Sequence, residues 1–538
     1  MKIFKFCSKY LKKYQLKLVI YVFIGLLTTL IGIITTYLIG IFLDTLVMAG
    51  ARQDVFNFAL FFISLNILKV LLGYLSTLLY IKMQINMGNE LNVDAISHVQ
   101  KLSLSFINQT DTSYLNQSVN NDSNELVIFC ITIIQNVVIN IVMLVAPFII
   151  LLSMNIMIAI ILLIFIVAYI FIYRAFKKPL HEASFLFRES QSHFFASLYE
   201  QFQYIKLIKI NGVQTEINQR LHKSFDDLKT TALKDQKINY LFSSLDQFIG
   251  IGAQMVLFII GGLQVLNGNF TIGMFTVFSI YFNMMLSSAR YFFNLGAIYQ
   301  SKLVSFERLN QIFEQMVETV GNEIIDSIEN IVLDQVNFAY GDKVVIQQAD
   351  MSFEKGKLYV ISGSNGKGKS TLINLLLGMY IDEKQGNILY NGENIKLLDM
   401  VTLRKELIGF SEQETSLVQD TIKYNLTFGK DVDEEKLSFY LELLNMHEFI
   451  GELESGIGSF INEKNTNISG GEKQKISILK VLLKQPDLMI FDEPSSALDA
   501  QTTEKFINHL SSIKQDKMII LITHDSDIKA CADVVIEL

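Results

Sequence analysis

This chain is poor in cysteine, proline and net positive charge, and each shortage excludes something. Only three cysteines occur in 538 residues. Cys7, Cys130 and Cys531 stand far apart, with no CxxC or metal-ligand spacing, so neither a disulfide framework nor a thiolate metal site is expected. They read as reduced thiols of a cytosol-facing or membrane-buried protein. With four prolines in all, the long polar stretches keep a helical pattern rather than a disordered one. A formal charge of −8 argues against nucleic acid as a partner. No cleavable signal is expected, because the lysine-rich start runs into an apolar stretch too long for a signal-peptide core.

What the chain does have is apolar length. Apolar residues make up 51% of it, and forty are phenylalanine. Six runs, approximately Leu18–Phe42, Val55–Ile81, Leu126–Ser153, Ile156–Tyr173, Tyr240–Leu266 and Ile272–Ser288, are long enough to cross ~30 Å of hydrocarbon at ~1.5 Å per residue. Short connections follow the first, third and fifth runs, near Met48–Gln53, Ser153–Asn155 and Asn267–Thr271. Long polar ones, near Lys82–Glu125 and Arg174–Asn239, follow the second and fourth. Their patterning extends the helices well beyond the membrane. The N-terminal segment carries Lys2, Lys5, Lys9, Lys12, Lys13 and Lys17 without one acid, which keeps it cytoplasmic. Six crossings return the chain to the same side. Aromatic and basic residues alternate along that segment at helical spacing, so it is expected either to lie along the inner leaflet or to be a solvated tail.

Composition changes near residue 325. The expected organisation is a multi-domain membrane protein, with an all-α six-helix transmembrane domain over 1–325 and an α/β P-loop domain over 326–538. Leu358–Ser362, Leu488–Asp492 and Met518–Thr523 read as buried parallel strands of the second domain.

Gly363-Ser364-Asn365-Gly366-Lys367-Gly368-Lys369-Ser370-Thr371 fits a phosphate-binding loop between a strand and an apolar helix. Its glycines let backbone N–H groups wrap phosphates, Lys369 brings charge to the β/γ oxygens, and the Ser370 hydroxyl is a hard ligand for Mg²⁺. The strand Leu488–Asp492 ends in Asp492-Glu493. Asp492 suits Mg²⁺, and Glu493 is free to polarise an attacking water. A second glycine cluster, Ile468-Ser469-Gly470-Gly471-Glu472-Lys473-Gln474-Lys475, opens another apolar helix and leaves N–H donors at its N-terminus.

Together these residues resemble the ATP-binding cassette family, over the whole chain and in the order of an exporter-type half-transporter. The resemblance implies that Ser469, Gly470, Gly471 and Glu472 form the signature that meets the γ-phosphate of ATP on a second subunit's P-loop. Tyr340 matches the aromatic that stacks on adenine, and Gln413 the glutamine that joins Mg²⁺ and water to the membrane domain. Asp499, in Ser496-Ala497-Leu498-Asp499, matches the loop exchanged across the dimer, and His524 the histidine that senses the γ-phosphate. Gly363, Ser364, Asn365, Gly366, Gly368, Lys369, Ser370 and Thr371 would bind the nucleotide; Glu493, His524 and Gln413 would act in hydrolysis; Ser370, Gln413 and Asp492 would hold Mg²⁺. Coupling turns are expected near Ser105–Tyr114 and Tyr204–Asn211.

Two departures stand out. Glu472 occupies a position that is usually Gln in the family and is expected to point outward. The segment Ile461–Asn465 lacks a glycine common in the family but keeps Glu463. The implied function is ATP-driven export of an amphipathic substrate (peptide, drug-like compound or lipid) across the cytoplasmic membrane by a homodimer. The alternatives are one half of a heterodimer, or a membrane-tethered ATP sensor that moves nothing. Lys69, Gln135, Asn136, Asn140, Asp246, Gln247, Gln254 and Asn283 are polar residues within the spans, serving either cargo or interhelical hydrogen bonds. Heavy use of Ile, Lys, Asn and Phe suggests a bacterium with an AT-rich genome.

Overall fold

The computed structural model describes residues 2–47, 52–110, 112–364, 366–461 and 468–538. The chain folds into two compact units. One comprises Met1–Ser97 and Thr112–Glu314, the other His98–Asp111 and Gln315–Leu538.

The first unit opens with α1 (Lys2–Lys13). Six helices long and apolar enough to cross a membrane occur among the described residues: α2 (Gln15–Val47), α3 (Arg52–Val99), α5 (Tyr114–Met154), α6 (Ile156–Gln203), α8 (Gln214–Leu266) and α9 (Ile272–Glu314). A helix satisfies every backbone donor and acceptor within itself, which a hydrocarbon surrounding demands. At ~1.5 Å per residue, the 48 residues of α3 or α6 exceed a ~30 Å hydrocarbon layer about twofold, so both continue well past it. The short connections after the third and fifth spans fall at the expected places, and of the one near Met48–Gln53 residues 48–51 lie outside the described residues. At one of them Asn155 caps α6, accepting from the Ile158 N–H at 3.1 Å and donating to Gln264 at 2.7 Å.

Inside this unit several polar residues bond to neighbouring helices. Gln135 donates to the Tyr21 carbonyl at 3.0 Å, Tyr281 to the Ile33 carbonyl at 2.8 Å, and Asp246 pairs with Arg290 at 2.8 Å. Lys69 stays exposed, its ammonium beside Gly32. Further along, Arg308 grips Asp122 through two bonds of 2.6 and 2.8 Å, and Asp235 accepts from Ser184. The C-terminal end of α2 meets the N-terminal end of α9 at two glycines. A β-carbon on Gly273 would overlap the Gly40 carbonyl, and Asp44 accepts from both the Gly273 N–H at 2.7 Å and the Thr271 hydroxyl at 2.6 Å.

The N-terminal helix does not lie free. Lys9 and Tyr10 reach Asp94, Lys13 and Tyr14 reach Glu90, and Ile3, Cys7 and Tyr10 are buried. Acids four residues apart on α3 therefore receive the basic–aromatic pairs of α1, an arrangement that its own composition could not show.

Among the described residues, the second unit contains α4 (Leu104–Gln109) and nine strands: β1 (Asn330–Tyr340), β2 (Lys343–Glu354), β3 (Leu358–Ser362), β4 (Gln385–Tyr390), β5 (Glu393–Asn394), β6 (Ile408–Ser411), β7 (Leu488–Asp492), β8 (Met518–Ile522) and β9 (Val534–Glu537). An antiparallel sheet runs β2-β1-β4-β5, and a parallel one runs β6-β7-β8-β3-β9. β3 and β8 are buried along their whole length and β7 up to Phe491, as their unbroken apolar runs predict for a covered parallel sheet. α10 (Lys369–Leu376) leaves β3, α11 (Gly470–Lys484) leads into β7, and α12 (Ala500–Ile513) follows it. The short helix α4 is tied into this unit: Leu102 bridges Val317, the Glu318 N–H donates to the Lys101 carbonyl at 2.7 Å, and Leu104 packs on the core. The other expected turn forms α7 (Ile205–Asn211) in the first unit, with Ile205, Leu207 and Ile210 exposed.

Candidate functional site

The site is built at the C-terminal ends of β3 and β7, where a parallel sheet leaves a crevice. After β3 the backbone turns through left-handed conformations at Gly366 (φ 82°) and Gly368 (φ 96°) before α10 begins. Only glycine adopts these freely, and Gly368 is the residue on which α10 starts. The loop's Lys369 extends back over it, its ammonium 2.5 Å from the Gly363 carbonyl and 2.9 Å from His524 Nε2. A cavity of about 720 Å³ borders Glu493 and His524 on one side. The cavity of interest, about 700 Å³, takes in Tyr340, Gly366, Gly368 and Lys369 to Thr371 of the loop, Gln413, Asp492, Glu493 and His524. Its volume suits a ligand of nucleotide size. Residues far apart in sequence are thus brought together as the motifs suggested, while Asn365 and Glu463 lie outside the described residues.

At the end of β7, burial first and then the Glu493 charge push the Asp492 carboxyl up to about 6, with Lys369 opposing. Glu493 sits in a left-handed conformation (φ 49°), strained for a residue with a β-carbon. The surroundings over-determine it. Its N–H donates to the Ile522 carbonyl at 2.9 Å, and its carbonyl accepts from Gln474 Nε2 at 3.0 Å and from Ser496 Oγ at 2.8 Å. Its carboxylate accepts from Gln413 Nε2 at 2.7 Å and lies 4.0 Å from His524 Nε2. Gln474 was not singled out by its motif, because nothing in the spacing shows that the signature helix reaches the neighbouring loop.

The signature residues lie elsewhere. Ser469, Gly470, Gly471 and Glu472 are not among the residues lining this cavity. Ser469 caps α11 by accepting from the Glu472 N–H, and the Glu472 carboxylate turns back to accept the Ser469 N–H at 2.5 Å. This differs from an outward-pointing acid: a negative group at a helix N-terminus gains from the uncovered donors and the helix dipole, and the capping box captures it. Asp499 likewise caps its own helix, accepting from the Thr502 N–H at 2.8 Å.

Tyr340 is partly exposed at the cavity. Its hydroxyl lies 3.3 Å from that of Tyr380 and 3.4 Å from Thr371 Oγ1, and its ring stands edge-on to Phe338 and Tyr380.

The donor set fits Mg²⁺ in type: a hydroxyl, an amide and two carboxylates whose mutual repulsion a dication would relieve. No group of three or more His, Cys, Asp or Glu that could hold a metal occurs among the described residues. A magnesium ion here would therefore complete its shell with phosphate oxygens and water, as Mg²⁺ commonly does.

Comparison with known proteins agrees with this architecture. The sequence profile of the ABC transporter transmembrane region matches residues 18–289, and that of the ABC transporter domain matches 346–496. A candidate export ATP-binding/permease protein of Rickettsia bellii is 31% identical over 344 residues, a match spanning 62% of this chain and 59% of that protein. An ATP-dependent lipid A-core flippase of Syntrophus aciditrophicus is 27% identical over 432 residues, 79% of this chain and 71% of the flippase. The solved structure of a bacterial Atm1-family ABC exporter with ATP bound superposes with a TM-score of 0.81 at 20% identity, covering 98% of this chain and 93% of that one, which establishes the fold. The chain belongs to the ABC transporter family, with a six-span membrane region followed by the family's nucleotide-binding domain.

Proposed function

We propose that this protein hydrolyses ATP to drive export of an amphipathic substrate, and that it works as a dimer of half-transporters in the cytoplasmic membrane. One observation carries the reading. The loop lysine, paired carboxylates, glutamine and histidine converge on one cavity, whereas Ser469, Gly470, Gly471 and Glu472 of the same chain do not line it. A site with all of its hydrolytic groups but without its second set of N–H donors is completed by a second copy.

In this site the P-loop N–H groups and Lys369 bind the phosphates, and Tyr340 offers its ring to the base. Glu493, oriented by Gln413 and by the strained backbone, holds and polarises the attacking water. His524 stands between Lys369 and Glu493, where it can report the terminal phosphate. Mg²⁺, held by Ser370, Asp492 and Gln413, would neutralise charge on the phosphate oxygens. The names of the export and flippase relatives support an exported, lipid-like cargo.

Two measurements test the reading. Inside-out vesicles carrying the protein should accumulate cargo only with ATP, and Glu493→Gln should abolish this while retaining bound ATP, with turnover down by about 10²-fold or more. Hydrolysis without any uptake would support a sensor instead. Hydrolysis by the purified chain alone would assign both halves of the site to copies of itself. Activity only on adding a different half-transporter would assign a heterodimer.

A further inference from the structure

The six apolar runs contain two charged residues, Lys69 and Asp246. Asp246 already has its partner, Arg290, at 2.8 and 2.9 Å. Lys69 makes no hydrogen bond or ion pair among the described residues, whereas Gln135, Asn140 and Asn283 each donate to a backbone carbonyl. Val55 and Ile81, the ends of its run, each lie about 20 Å away at ~1.5 Å per residue. Its four-carbon arm cannot snorkel that far. The lysine sits on a seam between α2 and α3. Tyr21 and Tyr80 stack at one end of the seam, 6.1 Å between ring centres, and Phe42 and Phe58 stack at the other, 4.2 Å apart. Between these clasps Lys69 meets Gly32, where a β-carbon would lie 3.4 Å from the ammonium. Nearby along the two helices, Leu30, Ile34, Leu68 and Val70 are exposed.

An ammonium at this depth is costly unless an opposite charge or water meets it. A second copy of the chain has no such charge to give, because Asp246 is the one acid in the six runs and is held by Arg290. The counter-charge must therefore arrive with a molecule that enters the seam. We propose that Lys69 binds the negative headgroup, phosphate or carboxylate, of an anionic amphiphile that the protein exports. The proposal rests on the reading of the protein as an exporter and names the class of its cargo. Gly32 leaves the ammonium open to the headgroup, and the exposed apolar side chains around it accept an alkyl chain. A charge-assisted hydrogen bond is strong in such surroundings, where little water competes. A zwitterionic headgroup brings its own cation and gains less, and a cationic one is repelled. Lys69 is thus a specificity-determining residue, set apart from the nucleotide site.

The test uses the full chain in dodecyl maltoside without nucleotide, with hexadecyl phosphate and hexadecyl phosphocholine as probes and bound probe counted by native mass spectrometry. The parent should bind the phosphate about tenfold or more tightly than the phosphocholine. Lys69→Met, which keeps the length and removes the charge, should weaken the phosphate by about tenfold or more and leave the phosphocholine unchanged. Lys69→Arg should retain the parental preference. Equal affinity of parent and Lys69→Met for hexadecyl phosphate, or no preference in the parent, overturns the site. Displacement of the probe by millimolar inorganic phosphate would show a site for free anions and overturn the amphiphile. Uptake of hexadecyl phosphate into inside-out vesicles then separates the two readings. ATP-driven uptake undiminished in Lys69→Met overturns the role of Lys69 alone. Binding that depends on Lys69, with no ATP-driven uptake, overturns the export reading and the assignment of this site to cargo.

Discussion

At Asp492 the protein holds a carboxylate where its surroundings oppose the charge. Its pKa, raised to about 6 from an ordinary 3.8, means that the native state binds this proton more tightly than the unfolded chain does. Stability contributed by the protonated form is present at low pH and is lost as pH rises through about 4 to 6, so above that window the ionised group is a cost. Asp492→Asn should therefore raise the unfolding temperature of the nucleotide-free, Mg²⁺-free protein at about pH 7.5, and the gain should shrink as pH falls through 6. The same variant should lose hydrolysis, so stability and activity move in opposite directions. Thermal unfolding across that pH range, alongside phosphate release, checks both. The identity of such residues was legible because each motif is local: glycines, lysine, serine and the paired acids lie within a few positions of one another. What holds them was not. The strained Glu493 backbone is secured by Gln474 from a different helix, and Glu472 is drawn back by its own helix N-terminus. Sequence spacing shows neither.

Among the elements, the long helices are joined at polar points that no apolar count reveals. The bidentate pair between Arg308 on α9 and Asp122 on α5 is the clearest, because the Asp122 side chain is only 3% exposed. Removing the cation strands a buried charge, which typically costs about 3–5 kcal/mol. Arg308→Ala should lower the unfolding temperature of detergent-solubilised protein well beyond the effect of Lys9→Ala, whose bridge to Asp94 is mostly exposed and worth little. Equal effects of the two substitutions would show that the buried pair contributes no more than a surface one. The span count and the extension of α3 and α6 followed directly from apolar length and from the scarcity of proline. The docking of α1 on α3 did not, since its acidic partners Asp94 and Glu90 lie far along the chain. Arg290 escaped notice for a simpler reason: it lies just past the last apolar run, where it pairs with Asp246 inside the bundle.

For the whole molecule, a cavity that lacks its signature predicts complementation. Lys369→Ala spoils one partner's P-loop and Ser469→Arg spoils one partner's signature, so each variant alone should hydrolyse no ATP. A mixed dimer places both lesions in one composite site and leaves the other intact. Co-expressing the two under separate affinity tags, purifying the doubly tagged species and measuring its ATPase should recover activity, and no recovery would argue that each chain completes its own site. At this scale the sequence displayed the order of domains. It could not display that residues 98–110, lying between two membrane-spanning helices, fold with the nucleotide-binding unit, because the contacts join segments from opposite ends of the chain. The glycine contact between α2 and α9 also matters to motion. Gly40 and Gly273 touch backbone to backbone, and Asp44 bolts the same two ends together. Sliding would drive a carbonyl into its neighbour, and parting would strip two donors from a carboxylate. The first and last spans are thus latched at this end into one mechanical arm, and any opening there has to swing that arm as a piece.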